Sequence, residues 1–362
     1  MGKQNSQMTR NISVEPEAIG NAVRPSSYRN KYYIIQNRTE FYELTPDIKD
    51  KDIRGSRYYI RAFRHLEATS TISGKIFIVV ELGTEELPAY GDDVIVFVVS
   101  DFFQKIPVFA DRVGMIFKGP GLKPRVNCSF AFDYLTLLMW LRFCRSVFQN
   151  LLSRLAIRRS AQGPIAPTFS IPLGDRDVWD LDIIPVLERS HDVSFLGSIV
   201  TNQLLKLSVT GLLGTPKTWS RSRMFAALKH YAQTRPSSVI TLKSTSFAGG
   251  NAGNSGPFSE LLADTKICVV PRGDVPETYR YFQGLRYGCV VVAEELPDEW
   301  FYTGSPAVTV RNWSELPALL DKLLADPDLM RRKSEESLAW WRDVVSEAAL
   351  ARYVIKHVEA HG

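Results

Sequence analysis

The residues best suited to chemistry lie in one run, ICVVPRGDVPETYRYFQGLRYGCVVVAEELPDEW, from Ile267 to Trp300. An apolar stretch ends at Pro271, and Arg272 and Gly273 form a tight exit. Pro276 suits the first position of a helix, where its missing N–H costs nothing. A helix start offers free N–H groups and the positive end of a dipole, which together favour a diphosphate. Arg272 adds a guanidinium that can grip phosphate oxygens in a bidentate contact. Arg280 falls about one turn along, on the wall that carries Glu277. Arg221 and Arg223, read as the first turn of another helix, are within reach of a phosphate; surface arginines are the other reading. A strand–glycine–helix junction alone is common in α/β proteins.

These residues need elements to hold them. Tyr32–Gln36 reads as a strand, and residues 56–67 have helical spacing with Tyr59, Ala62, Phe63 and Leu66 on one face. Lys75–Leu82, Asp93–Ser100 and Val113–Phe117 are continuous apolar runs, the pattern of strands buried on both faces of a parallel sheet. Ala161–Asp175 is rich in Pro and Gly and reads as the loop between halves. Beyond it, strands are expected at 192–197, 239–243, 267–270 and 289–293. Helices are expected at 220–233, 258–263 and 276–287 and from Ser314 onward. Alternating strands and helices in both halves predict two doubly wound, Rossmann-like α/β domains. The expected boundaries are a flexible lead-in at 1–30, a first domain at 31–172 and a second at 173–340. A C-terminal helix at 341–362 is expected to pack back on the first domain.

The chain has 362 residues, enough for about two domains with full cores. Its 44 basic and 39 acidic residues leave a net charge of +5, with no basic tract that would point to nucleic acid. None of the four cysteines, Cys128, Cys144, Cys268 and Cys289, forms a CxxC pair, which excludes a zinc ribbon or redox dithiol and fits a reducing compartment. The first residues lack an apolar core, so no signal peptide or anchor is expected, although Gly2 and Ser6 fit the myristoylation pattern. Tyr134–Leu155 is the longest apolar stretch, interrupted by Arg142 and Arg145 and followed by Arg154, Arg158 and Arg159. It reads either as a buried core helix or, over 134–159, as a peripheral membrane contact.

The Ile267–Trp300 segment resembles the C-terminal half of the exostosin glycosyltransferases, family 47. Cys268, Pro271, Gly273, Arg280, Gly288, Cys289 and Val291 fall in register with that family's pattern, and Leu296–Pro297 follow at the expected distance. Phe195–Gly197 is similar to the family's FxG strand exit, and Phe169–Pro172 to the segment joining its halves. The resemblance covers about 170–300 and the C-terminal helices. It implies a GT-B-like architecture, two Rossmann-like domains facing a cleft, the acceptor-side domain at 31–172 and the nucleotide-sugar-binding domain at 173–340. It also implies inverting, metal-independent transfer from a nucleoside-diphosphate sugar, a UDP-sugar first, to a glycan, glycolipid or small molecule. The expected donor-binding set is Gly197, Arg221, Arg223, Arg272, Gly273, Glu277, Arg280 and Gln283. Gln283 departs from the pattern, because the family usually has an acid there to hold the donor sugar or ribose. A non-catalytic binding or assembly partner with a degenerate donor site is therefore the alternative.

In the implied mechanism a base deprotonates the acceptor hydroxyl, and arginines with a helix dipole neutralise the leaving diphosphate in place of a metal. The base is expected at a strand end in the first half. Asp101 is the first choice and Glu85 the second, with Glu81 and Glu86 beside it. His65 and His191 read as structural or solvated. A metal-dependent transferase would need a DxD after an apolar strand, and Asp50–Asp52, Asp175–Asp177 and Asp180–Asp182 do not follow one. No GxGxxG follows an early strand, which disfavours a dinucleotide oxidoreductase. No cofactor or metal is expected. The absence of an anchor, where animal and plant exostosins carry one, places the expected action on the cytosolic side.

Overall fold

The computed structural model describes residues 27–35, 41–45, 48–49, 56–81, 86–99, 105–119, 122, 134–160, 163–175, 178–198, 215–244, 256–273 and 275–361. Two sheets organise them. In the first, Lys31–Ile35 (β1), Ile76–Val80 (β3), Gly91–Val98 (β4), Val113–Lys118 (β5) and Thr168–Ser170 (β6) run parallel. Phe41–Glu43 (β2) closes one edge antiparallel to β1, giving the order β2-β1-β3-β4-β5-β6. The second sheet is parallel throughout. It holds His191–Gly197 (β7), Ile240–Ser244 (β8), Thr265–Val270 (β9), Val290–Glu294 (β10) and Val308–Val310 (β11) in the order β11-β10-β9-β7-β8. The helices are Arg57–Thr69 (α1), Tyr134–Ser160 (α2), Pro216–Thr234 (α3), Gly256–Ala263 (α4), Tyr279–Arg286 (α5), Leu316–Leu324 (α6), Pro327–Trp340 (α7) and Glu347–His361 (α8). The fold is α/β with two parallel-dominated sheets, the class expected of a GT-B-like chain.

The apolar runs of β3 and β4 become strands because both faces are covered, which a run of Val and Ile with no polar alternation requires. On the α1 side, one aromatic ring per parallel strand forms a ladder. Tyr32 to Phe77 is 5.2 Å between ring centres, Phe97 to Phe117 is 5.0 Å and Phe117 to Phe169 is 5.7 Å. Tyr59 and Phe63 of α1 pack on this ladder, and so do Tyr353 and His357 of α8. The last helix thus lies on the first sheet, although it follows the second in sequence. One continuous core joins α1, α5, α8 and facing strands of both sheets.

Several expected boundaries move. Ala161–Asp175 holds the strand β6, so Phe169 and Ser170 of the linking segment are part of the sheet. α3 starts at Pro216 because Thr215 caps it, its side chain accepting from the Thr218 N–H at 3.2 Å. Arg221 and Arg223 therefore sit in its second turn, not its first. α5 starts at Tyr279 rather than Pro276. Val275 precedes a proline, which disfavours helical backbone, and Val275 and Glu277 are both buried in an extended approach to the N-cap Thr278.

Candidate functional site

In the second sheet the chain goes from β7 outward to β8, then crosses to β9 on the other side of β7. Such a reversal opens a crevice beyond the carboxyl ends of the two diverging strands, the usual ligand site of an open α/β sheet. Here those ends are Gly197–Ser198 after β7 and Pro271–Gly273 after β9.

Arg221, 8 % exposed, spans that crevice. Its Nε donates to the Arg272 carbonyl at 3.0 Å and its Nη1 to the Ser198 carbonyl at 2.9 Å. Gly197 makes room for it, since a Cβ there would lie 3.3 Å from Arg221 Nη1 and 3.0 Å from the Phe195 ring. Arg272 is buried too, and its Nη1 reaches the Met139 sulfur of α2 at 2.9 Å. Glu277, 5 % exposed, lies close enough to Tyr59 and Tyr302 to act on both phenols. Burial pushes both phenols well above 10, and the Glu277 charge adds to it. Among the described residues, the hydroxyls of Thr278 and Tyr302 are buried with no hydrogen-bond partner. They stand beside Glu277 as unused polar capacity, which buried groups seldom leave unmet. Gly273 is held by a backbone bond from its N–H to the Val275 carbonyl at 2.9 Å.

Arg280, half-buried on α5, faces β9 closely enough that its charge partly offsets the burial that raises the Cys268 thiol. Glu294 ends β10 on the same rim. Its carboxylate accepts from the Trp313 indole at 2.6 Å and from the hydroxyl of Ser220, the neighbour of Arg221. An acid closing the run VVVAE is the same signal that singled out Asp101, so Glu294 was findable. The expected donor set therefore divides. Gly197, Arg221, Arg272, Gly273 and Glu277 gather at the two strand ends, with Arg280 next to them. Arg223 is drawn instead to Trp219, its guanidinium 5.8 Å from the ring centre. Gln283 points to another wall, its Nε2 donating to Asp175 Oδ1 at 3.1 Å.

That wall is an ionic hub between the halves, covered at Arg286, Asp175 and Glu347 and open at Asp180. Arg286 of α5 pairs with Asp180 and Glu347 at 2.8 Å each and with Asp175 at 3.6 Å. Arg61 of α1 joins through Asp180 at 2.8 Å. Burial raises the Asp180 carboxyl, but the hydrogen bond and charge of Arg61, with those of Arg286, outweigh it and leave the group below its ordinary range. Asp175 of the Asp175–Asp177 pair and Asp180 of the Asp180–Asp182 pair thus meet arginines here. Among the described residues no cluster of His, Cys, Asp or Glu could hold a metal.

In the first half, Asp101 and Glu85 lie outside the described residues. Glu81, directly after β3, is described. The hydroxyl of Ser56, in a left-handed conformation before α1 (φ 49°), donates to its Oε1 at 2.5 Å. Its charge raises the phenols of Tyr42 and Tyr59, second to burial at Tyr42 and third after burial and Tyr279 at Tyr59. Tyr59 therefore has Glu81 from the first half and Glu277 from the second in its field. Glu86 borders a cavity of about 600 Å³ with Leu87, Tyr90, Val108 and Arg112.

No protein-family model matches the chain, and no curated protein matches it. The resemblance to family 47 rests on its spaced residues alone. Among solved structures, the chain is similar to one described as the crystal structure of a GtfA/B complex, at 10% identity and a TM-score of 0.39. The match covers 88% of this chain and 63% of that one, so the chain spans less than two thirds of that protein's length.

Proposed function

We propose that the chain is an inverting, metal-independent glycosyltransferase of exostosin-like type. It would move a sugar from a nucleoside-diphosphate sugar, a UDP-sugar first, to a hydroxyl of a glycan, glycolipid or small molecule on the cytosolic side. The observation that carries this reading is the crevice between β7 and β9, where Arg221, Arg272 and Glu277 converge at two strand ends. Arg272, Arg280 and the start of α5 would bind the diphosphate, a task for which guanidinium groups and free N–H groups suit. Gly197 and Gly273 would let the nucleotide approach the backbone, and Glu277 would hold hydroxyls of the sugar or ribose. A carboxylate of the first half takes the acceptor proton as the acceptor oxygen bonds to the anomeric carbon. The bond from that carbon to the diphosphate breaks, and the diphosphate leaves with the electron pair. Glu81 is the described carboxylate best placed for this, through its link to Ser56 and its nearness to Tyr59.

A second reading has its own observation. Gln283 is engaged with Asp175, and Arg221 Nε and Nη1 donate to carbonyls, as a scaffold with a lost donor site would have them. One experiment separates the two. Thermal unfolding is followed with UDP, GDP, CMP, TDP and their sugars, in EDTA, alongside donor hydrolysis. A ligand at ~100 times its dissociation constant stabilises by about 2.7 kcal/mol. A selective rise lost in Arg280→Ala, with turnover of the matching sugar, supports the transferase. No rise with any nucleotide and no hydrolysis overturns it in favour of the binding protein.

A further inference from the structure

Helix α2 is inside out. Its covered side includes Ser146 and Asn150 beside Leu138, Met139 and Ile157, all buried. Its outer side carries Leu137 (54% exposed), Leu141 (54%), Phe148 (60%), Leu151 (51%) and Leu155 (42%), with Trp140 at one edge. These recur three and four residues apart. With their outward neighbours they cover an arc of about 140° at 100° per residue, over a helix of roughly 40 Å. That is wider than a coiled-coil seam and makes one contiguous apolar face, of the size that marks a functional surface on a soluble monomer.

The charges of the same helix say what covers this face. Residues 134–160 contain five arginines, Arg142, Arg145, Arg154, Arg158 and Arg159, and no acidic residue. By helical angle, Arg145 and Arg154 flank the apolar arc on opposite sides. Pairing with a second copy would set cations against cations, with no carboxylate on either helix to compensate. An anionic lipid surface meets both requirements, apolar depth under the arc and phosphate charge at its margins. Arg142 and Arg145 also break the apolar run, and no described helix is long and apolar enough to cross a bilayer, so a helix lying in the surface is the remaining geometry.

We propose that the outer face of α2 seats the protein on a bilayer containing anionic phospholipid. The same helix reaches the crevice with its inner side. Met139 touches Arg272, and the Tyr134 ring packs on Trp219 of α3 at 4.9 Å. Seating α2 therefore brings the ends of β7 and β9 toward the headgroups, where a lipid-linked acceptor would be found. The inference rests on α2 alone and stands whether or not the chain transfers sugars.

The test uses the full chain and phosphatidylcholine vesicles with or without phosphatidylglycerol. Co-sedimentation is expected with the anionic vesicles, weakening as salt rises. Phe148→Glu/Leu151→Glu, both on the outer face, lowers binding at least tenfold with unfolding temperature unchanged. Arg145→Gln/Arg154→Gln weakens it roughly thirtyfold, at about one factor of five per arginine. Cys144 is exposed on this face. A polarity-sensitive dye attached there, in a Cys128→Ser background, shifts to the blue only when anionic vesicles are added. Failure to bind, or equal binding by Phe148→Glu/Leu151→Glu, overturns the proposal. So does a dye already blue-shifted in the absence of vesicles, which would mean that this chain or a second copy covers the face.

Discussion

The side-chain amide of Gln283 donates to the carboxylate of Asp175 at 3.1 Å, and Asp175 is completely buried. The position at which the family-47 pattern has an acid therefore serves, in this chain, to satisfy an acid supplied from 108 residues away. Arg286, the nearby cation, is already shared by Asp175, Asp180 and Glu347. Gln283→Glu adds a fourth carboxylate to one guanidinium, in a buried place. Its expected cost is about 2–4 kcal/mol at neutral pH, typical of an uncompensated buried charge. Crowded carboxylates hold protons more firmly in the folded state than in the unfolded one, so the deficit shrinks as pH falls toward 5 and is restored as pH rises. Denaturant melts of both proteins across that range check it. Equal stability at pH 8 would mean that the Asp175 contact is dispensable.

Gly197 and Arg221 offer a test that touches the crevice without removing a charge. A methyl group at residue 197 lies 3.0 Å from the Phe195 ring and 3.3 Å from the Arg221 guanidinium, closer than ordinary van der Waals contact, so a neighbour must give way. Gly197→Ala is expected to displace Arg221 from the carbonyls of Ser198 and Arg272, at roughly 1–2 kcal/mol. If the crevice binds nucleotide, affinity falls with it while the charge of the site is unchanged. Calorimetric titration with the stabilising nucleotide reads the outcome.

His357 of α8 packs its ring on Phe169 of β6, 4.0 Å between centres. Burial lowers its pKa from 6.5, and the charges of His361 and Lys356 lower it further. The unfolded chain then takes up the proton first, so stability is full above about pH 6.5 and declines as pH falls through the lower folded value. His357→Gln is expected to flatten this decline between pH 7 and 5, leaving the loss below pH 4 that comes from carboxylates such as Asp180 and Glu67, held low by their partners. Melting temperature against pH for both proteins separates the two limbs.

What the sequence made legible follows from how local each signal is. β3 and β4 could be read because a strand covered on both faces needs no alternation, and IFIVV and VIVFV say so within five residues. β2, β6 and β11 have three residues each, and pairing with a neighbour strand is what makes them strands. Arg272 and Glu277 were found through the exit of β9, a local feature. Asp175 and Ser220 acquire their roles from partners 108 and 74 residues away. α2 could be read as a helix but not oriented. Apolar residues surround it on most sides, so its period cannot tell the buried face from the exposed one.

Glu81 carries the prediction that bears most directly on chemistry. It follows β3, takes a hydrogen bond from Ser56 and shares the field at Tyr59 with Glu277 of the other half. A base needs a carboxylate, whereas the contact with Ser56 needs only an acceptor oxygen, which an amide also supplies. Glu81→Gln therefore keeps the packing at the start of α1 while removing proton uptake. The expected result is a fall in turnover of at least about a hundredfold, with nucleotide affinity and unfolding temperature close to those of the parent. A loss of folding would instead assign Glu81 to the joint between α1 and β3. Unchanged turnover would pass the role of base to Asp101 or Glu85, and the same substitution at each, to Asn and Gln, would decide between them.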